Sequence, residues 1–291
     1  MNMQPKKSLG QNFLRDELVV EGILSAVSPC SGEILVEVGP GEGVLTKKLA
    51  DSGACVVAIE LDDRLIPFLE KKFASYENVH IVHGDVLKVN IPGLLFGEKT
   101  LFSKEGAPCY LEEGGEEAKE RYRVVGNLPY YITSKIIRMF LELEHSPQEM
   151  FFMVQKEVAE RICAQKGEMS ILSVAVQYYA DPEILLDVPA RAFDPVPKVD
   201  SAFIRIVSKS KDEKQVVHKE GITNFFRVVK IGFSARRKTL VNNLANGLHR
   251  ERGEVEGLVE SIGLKKTVRA QELEIEDWKK LASLFKEGFS R

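Results

Sequence analysis

The sequence predicts an α/β fold on a parallel sheet, followed by a smaller all-helical region. Short apolar, β-branched runs alternate with helical spacing through the first two thirds of the chain, and after residue 208 only helical spacing remains. The chain has 291 residues, 44% hydrophobic and 29% charged. That length suits one large domain or two ordinary ones, and that composition suits a globular chain.

Ile34–Val38 is the first strand, ending at glycines, and Val44, Leu45 and Leu49 then follow at helical spacing. Cys55–Ile59 is the second, followed by a helix over Leu61–Phe73. Val79–Val82 and Tyr122–Val125 are the third and fourth. Ile136, Ile137, Phe140 and Leu141 mark a helix, then come strands over Glu149–Val154 and Ser201–Val207. Residues 209–219 read as a polar linker, and Trp278, Leu281 and Phe285 share one face of a late helix. These readings place one domain over 1–208 and a helical one over 209–291. The stretch 97–121 carries seven acids, with Gly106, Gly114 and Gly115 among them, and reads as a loop insertion.

The net charge of -3 hides an asymmetry. Residues 209–291 hold 18 Lys and Arg against 12 Asp and Glu, so the basic part is the helical one. A basic segment joined to an acidic one points to a polyanionic partner, nucleic acid first. Fibrous, disordered and disulfide-rich classes are excluded by composition. No apolar run approaches the ~18–20 residues of a membrane span, and the start of the chain lacks the apolar core of a secretory signal. Cys30, Cys55, Cys109 and Cys163 form no CxxC pair and read as free thiols of a cytoplasmic protein. The five histidines are scattered, so no metal is expected. Nothing demands more than a monomer.

Three places carry chemistry. Gly39-Pro-Gly41-Glu-Gly43 follows a strand and opens a helix, which lets backbone pass close to a ligand. A dinucleotide fingerprint wants glycine where Val44 stands; the spacing suits a nucleoside with an amino-acid tail, although a tight turn with no ligand has the same local pattern. Glu60 ends the second strand, 21 positions after Gly39, where a carboxylate accepts ribose hydroxyls. Asp85 follows the third strand, where an acid accepts from an adenine amine. Asn127-Leu128-Pro129-Tyr130 follows the fourth strand. An amine conjugated to a purine is a poor nucleophile, because its lone pair is delocalised. The Asn127 side-chain oxygen and the Leu128 carbonyl together accept both of its N–H bonds and free that pair. Pro129 restricts Leu128 to extended backbone, and Tyr130 offers a flat face to an unstacked base. A β-turn with a buried tyrosine is the bland alternative.

In this order the motifs resemble the small-subunit ribosomal RNA adenine N6,N6-dimethyltransferases, the KsgA family, over nearly the whole chain. The carriers are Lys6–Leu14, Glu37–Gly43, Glu60, Asp85, Asn127–Tyr130, Gln155–Arg161, Phe193–Ser201, Phe233–Leu240 and Arg269-Ala270. The resemblance implies a Rossmann-like methyltransferase sheet and S-adenosyl-L-methionine as cofactor. It implies Asn12 and Leu14 at the lip of the cofactor site, with Gly39, Gly41, Glu60, Asp85 and Asn127 holding the cofactor. It makes Phe193 a second wall for a flipped adenine beside Tyr130. The reaction implied is dimethylation of two adjacent adenines near the 3′ end of small-subunit (16S) ribosomal RNA, on the assembling subunit. Arg236, Arg237 and Lys238 would then contact RNA phosphates, with Arg227, Lys230, Arg250, Arg252, Lys6 and Lys7 as further cations. Two rivals share most motifs: a large-subunit adenine methyltransferase of the macrolide-resistance type, and an RNA-binding assembly or transcription factor without chemistry. Leu128 and the Ser-Ala-Arg-Arg-Lys run favour the small-subunit reading, and an intact Asn127 opposes the non-catalytic one. A NAD dehydrogenase is disfavoured by Val44 and by the lack of a hydride-transfer His or Tyr-Lys pair.

Overall fold

The computed structural model describes residues 5–6, 9–97, 101, 121–210 and 219–285. Most of the acidic stretch 97–121, with Cys109, lies outside them, as do Lys7 and 211–218 of the expected linker. In chain order the elements are β1 (Phe13–Leu14), α1 (Glu17–Val27), β2 (Ile34–Val38), α2 (Val44–Asp51), β3 (Cys55–Glu60), α3 (Ile66–Lys72), β4 (Val79–His83) and α4 (Ile91–Phe96). Then follow β5 (Arg123–Asn127), α5 (Thr133–Glu142), β6 (Glu149–Gln155), α6 (Lys156–Ile162), α7 (Ile171–Gln177), β7 (Ala180–Val188), β8 (Phe193–Asp194) and β9 (Ser201–Ser208). Four helices close the chain: α8 (Lys219–Gly232), α9 (Leu240–Leu248), α10 (Arg252–Ser261) and α11 (Ile275–Leu284). No described helix is long and apolar enough to cross a membrane.

Seven strands form one sheet in the order β4-β3-β2-β5-β6-β9-β7, and β1 pairs with β8 as a separate antiparallel ribbon. The sheet is parallel from β4 to β6, whereas β9 runs antiparallel to β6. The central strands are apolar on both faces, as helices on both sides require, and β2 and β3 are buried throughout. Chain order reverses on either side of β2, so the carboxyl ends of β3, β2 and β5 lie side by side at a switch point. At Gly126 the chains come so close that a Cβ would stand 2.7 Å from the Val38 carbonyl oxygen.

The expected helix over 61–73 is shorter. Asp62 accepts from Arg64 N (3.3 Å), Asp63–Leu65 forms a turn, and Pro67 stands in the first turn of α3. The expected strands are all present, and β7 and the two-residue β1 and β8 are additional.

The chain divides into two compact units, Met1–Ala159 with Glu183–Ser208, and Glu160–Pro182 with Lys209–Arg291. The boundary expected at 208 is one of three crossings, the others being 159/160 and 182/183. Residues 160–182 go with the helices because Tyr178 packs on Phe225 and Phe226, with ring centroids 4.4 and 5.4 Å apart. In the second unit Trp278, Leu281 and Phe285 are fully buried, and Phe233 stacks on Trp278 at 5.4 Å. Buried Asn243 donates to the carbonyls of Gly232 (2.6 Å) and Ala235 (3.1 Å), which fixes the turn between α8 and α9. In the first unit, at the opposite end of the sheet from the switch point, Arg123 bridges Glu33 and Glu149, and Arg205 pairs with Glu149 and Glu183.

Candidate active site

A cleft with about 820 Å³ of empty space, part of it open solvent, lies over the carboxyl ends of β3, β2 and β5. Three groups of residues line it: Leu9–Phe13 from the arm that precedes α1, strand-end residues Val38, Gly39, Gly41, Ile59, Glu60 and Asp85, and Asn127–Ile132 after β5. Five of the expected cofactor residues, Asn12, Gly39, Gly41, Glu60 and Asp85, thus share one cavity with Asn127.

Gly39, Gly41 and Gly43 have φ of 70°, 58° and 70°, the left-handed region that favours glycine. Nothing lies within 4 Å of where a Cβ on Gly39 would be, so bare backbone faces open space there. Glu60 is buried; one oxygen accepts from Gly41 N at 3.2 Å and the other from Asp62 N at 2.8 Å. A carboxylate has about four acceptor sites, so these bonds leave capacity for a ribose hydroxyl. Burial raises the pKa of this carboxyl, and the backbone donors oppose that. Asp85 is half-buried and accepts from Leu87 N at 3.0 Å. A bare-backbone cradle, a diol-sized acid and a second acid for an amine fit a nucleoside carrying an amino-acid tail.

Asn127 ends β5. Its Nδ2 donates to the Asn12 carbonyl oxygen at 2.9 Å, which leaves Oδ1 as the acceptor for the cleft. Leu128 is buried and its N–H donates to the Met153 carbonyl at 3.2 Å, pinning the segment to β6. The Pro129 carbonyl accepts from Ile132 N (3.1 Å) and from Thr133 Oγ1 (3.2 Å), closing a turn. Tyr130 shares a 2.8 Å hydrogen bond with buried Ser201 Oγ, and burial pushes its phenol pKa up. One end of its ring is therefore anchored.

Two expected residues are not brought to this cavity. Phe193 is 2% exposed and belongs to the core cluster with Met153 and Phe203, because its β8 ribbon folds the ring inward, so here it forms no wall. Leu14, paired with Phe193, lines instead an adjoining recess of about 560 Å³ that shares Phe13, Gly39, Gly41 and Asn127 with the cleft. Conversely, sequence reading missed Gln11 and Tyr131. Gln11 Nε2 donates to buried Asp62 at 2.9 Å, and Tyr131 stands 61% exposed on the rim. Gln11 falls inside a motif already singled out and Tyr131 directly after one, and only their neighbours in space mark them.

Arg236, Arg237 and Lys238 are exposed on the turn between α8 and α9, and among the described residues none of the three is paired with a carboxylate. The Leu240 N–H···O=C Val268 bond (2.8 Å) and the Asn243 contacts hold that turn. Arg250 and Arg252, expected as further phosphate contacts, are engaged with Glu254 and Glu256.

A switch-point cleft with a glycine turn, a buried acid at the end of β3 and an Asn-Leu-Pro-Tyr wall defines a Rossmann-like, S-adenosylmethionine-dependent methyltransferase. Comparison with known proteins narrows the class. The family described as "Ribosomal RNA adenine dimethylase" matches residues 2–287, and the chain belongs to it. The chain is 38% identical over 286 residues to the Ribosomal RNA small subunit methyltransferase A of Dehalococcoides mccartyi strain 195, covering 98% of this chain and 90% of the relative. It is 38% identical over 283 residues to the protein of that name from Bacillus cereus strain AH187, covering 96% and 90%. Among solved structures it is similar to the 23S rRNA methyltransferase ErmE, with a TM-score of 0.68, 26% identity and coverage of 94% and 98%. A dimethyladenosine transferase from Plasmodium falciparum shares the fold, with a TM-score of 0.72, 23% identity and coverage of 94% and 97%. The protein is thus an enzyme of ribosomal RNA adenine dimethylation, with S-adenosylmethionine as its cofactor.

Proposed function

We propose that this enzyme methylates N6 of two adjacent adenines near the 3′ end of small-subunit ribosomal RNA, on the assembling subunit, as a cytoplasmic monomer. The observation that carries the site assignment is Asn127: its amide nitrogen is occupied by the Asn12 carbonyl, so its oxygen is the end offered to the cleft. The bound cofactor supplies an electrophilic methyl on a sulfonium. Gly39, Gly41, Glu60 and Asp85, with Asn12, hold it; Leu14 serves only through the adjoining recess. Asn127 Oδ1 and the Leu128 carbonyl accept the two N–H bonds of the target amine and free its lone pair for in-line attack. Pro129 aims that carbonyl, and Tyr130 supports the ring of the unstacked base. The methylated ammonium readily loses its proton, so no strong general base is required.

We assign the chemistry to the sheet-bearing unit and phosphate contact to Arg236, Arg237 and Lys238 of the helical one. The small-subunit target is supported by relatives named for it over nearly the whole chain, and by Leu128 and the Ser-Ala-Arg-Arg-Lys run. The test is radiolabelled methyl transfer onto isolated small and large ribosomal subunits, with the modified bases mapped. Label should enter only the small subunit, as dimethyladenine at two neighbouring positions. Label confined to the large subunit would transfer the enzyme to the rival reading.

A further inference from the structure

The glycine turn is braced from two sides, and of the bracing residues Arg15, Lys72 and Phe73 line neither the cleft nor the recess. On the first side the Phe13 ring lies against Gly41, where a Cβ would stand 3.1 Å from two ring carbons. Arg15, with its guanidinium 5.6 Å from the centre of that ring, is ion-paired with Glu42. Arg15 is itself fixed, because its backbone N–H donates to the Ala192 carbonyl at 2.8 Å beside the β1–β8 ribbon. On the second side the Phe73 ring covers Gly43, where a Cβ would stand 2.7 Å away. The Lys72 ammonium, 5.4 Å from the centre of that ring, donates to the carbonyl oxygens of Glu42 (2.6 Å) and Gly43 (3.1 Å). Each brace is therefore a ring against a glycine with a cation on Glu42 or its neighbour.

A turn made largely of glycine has few side chains of its own to hold it, and free glycine samples many conformations. Ordering it when a ligand arrives would subtract from affinity. Held on both flanks, it presents its backbone already shaped. Resting on the cofactor assignment, we propose that Arg15 and Lys72 are positioning residues that preorganise the glycine turn and so set the affinity and dwell time of the cofactor. Neither touches the reacting atoms.

The test is calorimetric binding of S-adenosylhomocysteine to the full-length wild type, Arg15→Gln, Lys72→Met, Arg15→Glu and the charge-swapped Arg15→Glu/Glu42→Arg. It is joined to hydrogen exchange of the turn amides without ligand. Arg15→Gln and Lys72→Met should each weaken binding by about 5- to 20-fold. The turn amides should exchange faster in both, and kcat at saturating cofactor should stay within about twofold of wild type. Arg15→Glu should bind worst, and the swap should recover most of the loss. Wild-type affinity in both neutral variants, no recovery in the swap, or a loss confined to kcat would overturn the proposal. A wild type that binds no S-adenosylhomocysteine would overturn the cofactor assignment, and the proposal with it.

Discussion

Asn127 and Glu37 show two different uses of a polar side chain beside one glycine turn. Asn127 is a group whose two ends are already sorted, with the donor end on the arm and the acceptor end on the cleft. Replacing it by alanine should lower kcat by about 10²–10³, the effect of removing one preorganised polar contact to a reacting group. Cofactor affinity should change far less, since the contact to the amine forms chiefly in the transition state. Calorimetry beside single-turnover kinetics checks this; a collapse of cofactor binding with an unchanged rate on bound substrate would contradict it. Glu37 is the opposite case, 2% exposed and accepting from Thr46 Oγ1 at 2.6 Å. Burial pushes its carboxyl pKa up to about 7 from an ordinary value of 4.5, with nearby Glu60 adding to the rise. Between those two values the folded chain holds a proton that the unfolded chain has lost, so stability falls as pH rises through that window. The contribution of Glu37 to that fall is roughly 3 kcal/mol. Urea melts at pH 5 and pH 8 should therefore show wild type losing more stability than Glu37→Gln, and equal losses would refute the reading. That Gly39, Gly41, Glu60, Asp85 and Asn127 share one cleft was legible from residue type and position after a strand. Phe193 was not, because nothing local tells a ring that lines a cleft from one that fills a core.

Among the elements, the central strands were legible because two-sided burial writes them as continuous apolar runs. β7 was not: Ala180-Asp-Pro-Glu-Ile-Leu-Leu-Asp-Val188 mixes charges and a proline, which an edge strand tolerates and a central one does not. α3 was read too long because Asp62, which caps the turn before it, looks like any helical surface acid until its partners Arg64 and Gln11 are seen. Gly126 in β5 tests how tightly the sheet is packed where it carries Asn127. An added methyl there meets the Val38 carbonyl, and a backbone atom cannot step aside as a flexible side chain can. Gly126→Ala should destabilise the fold by about 1–3 kcal/mol and lower Tm. An unchanged melting temperature would show that β2 and β5 can separate there at little cost.

At the scale of the whole molecule, the basic C-terminal part and the acidic remainder fit an enzyme whose substrate is a polyanion. If Arg236 and Arg237 each neutralise a phosphate, reversing both charges should weaken RNA binding and make log K against log salt shallower by about 2. Filter binding over a salt series checks this, and a wild-type slope would remove both residues from the interface. Near neighbours along the chain were enough for the alternation of strand and helix, a turn only glycine adopts comfortably, acids just past strand ends, and a basic helical tail. Tertiary structure alone decided the strand order β4-β3-β2-β5-β6-β9-β7, the three crossings between units, the burial of Phe193, and the bond between Asn127 and Asn12, 115 positions apart. Those outcomes come from competition among distant segments for the same buried surface and the same hydrogen-bond partners. Local pattern limits that competition without choosing its winner.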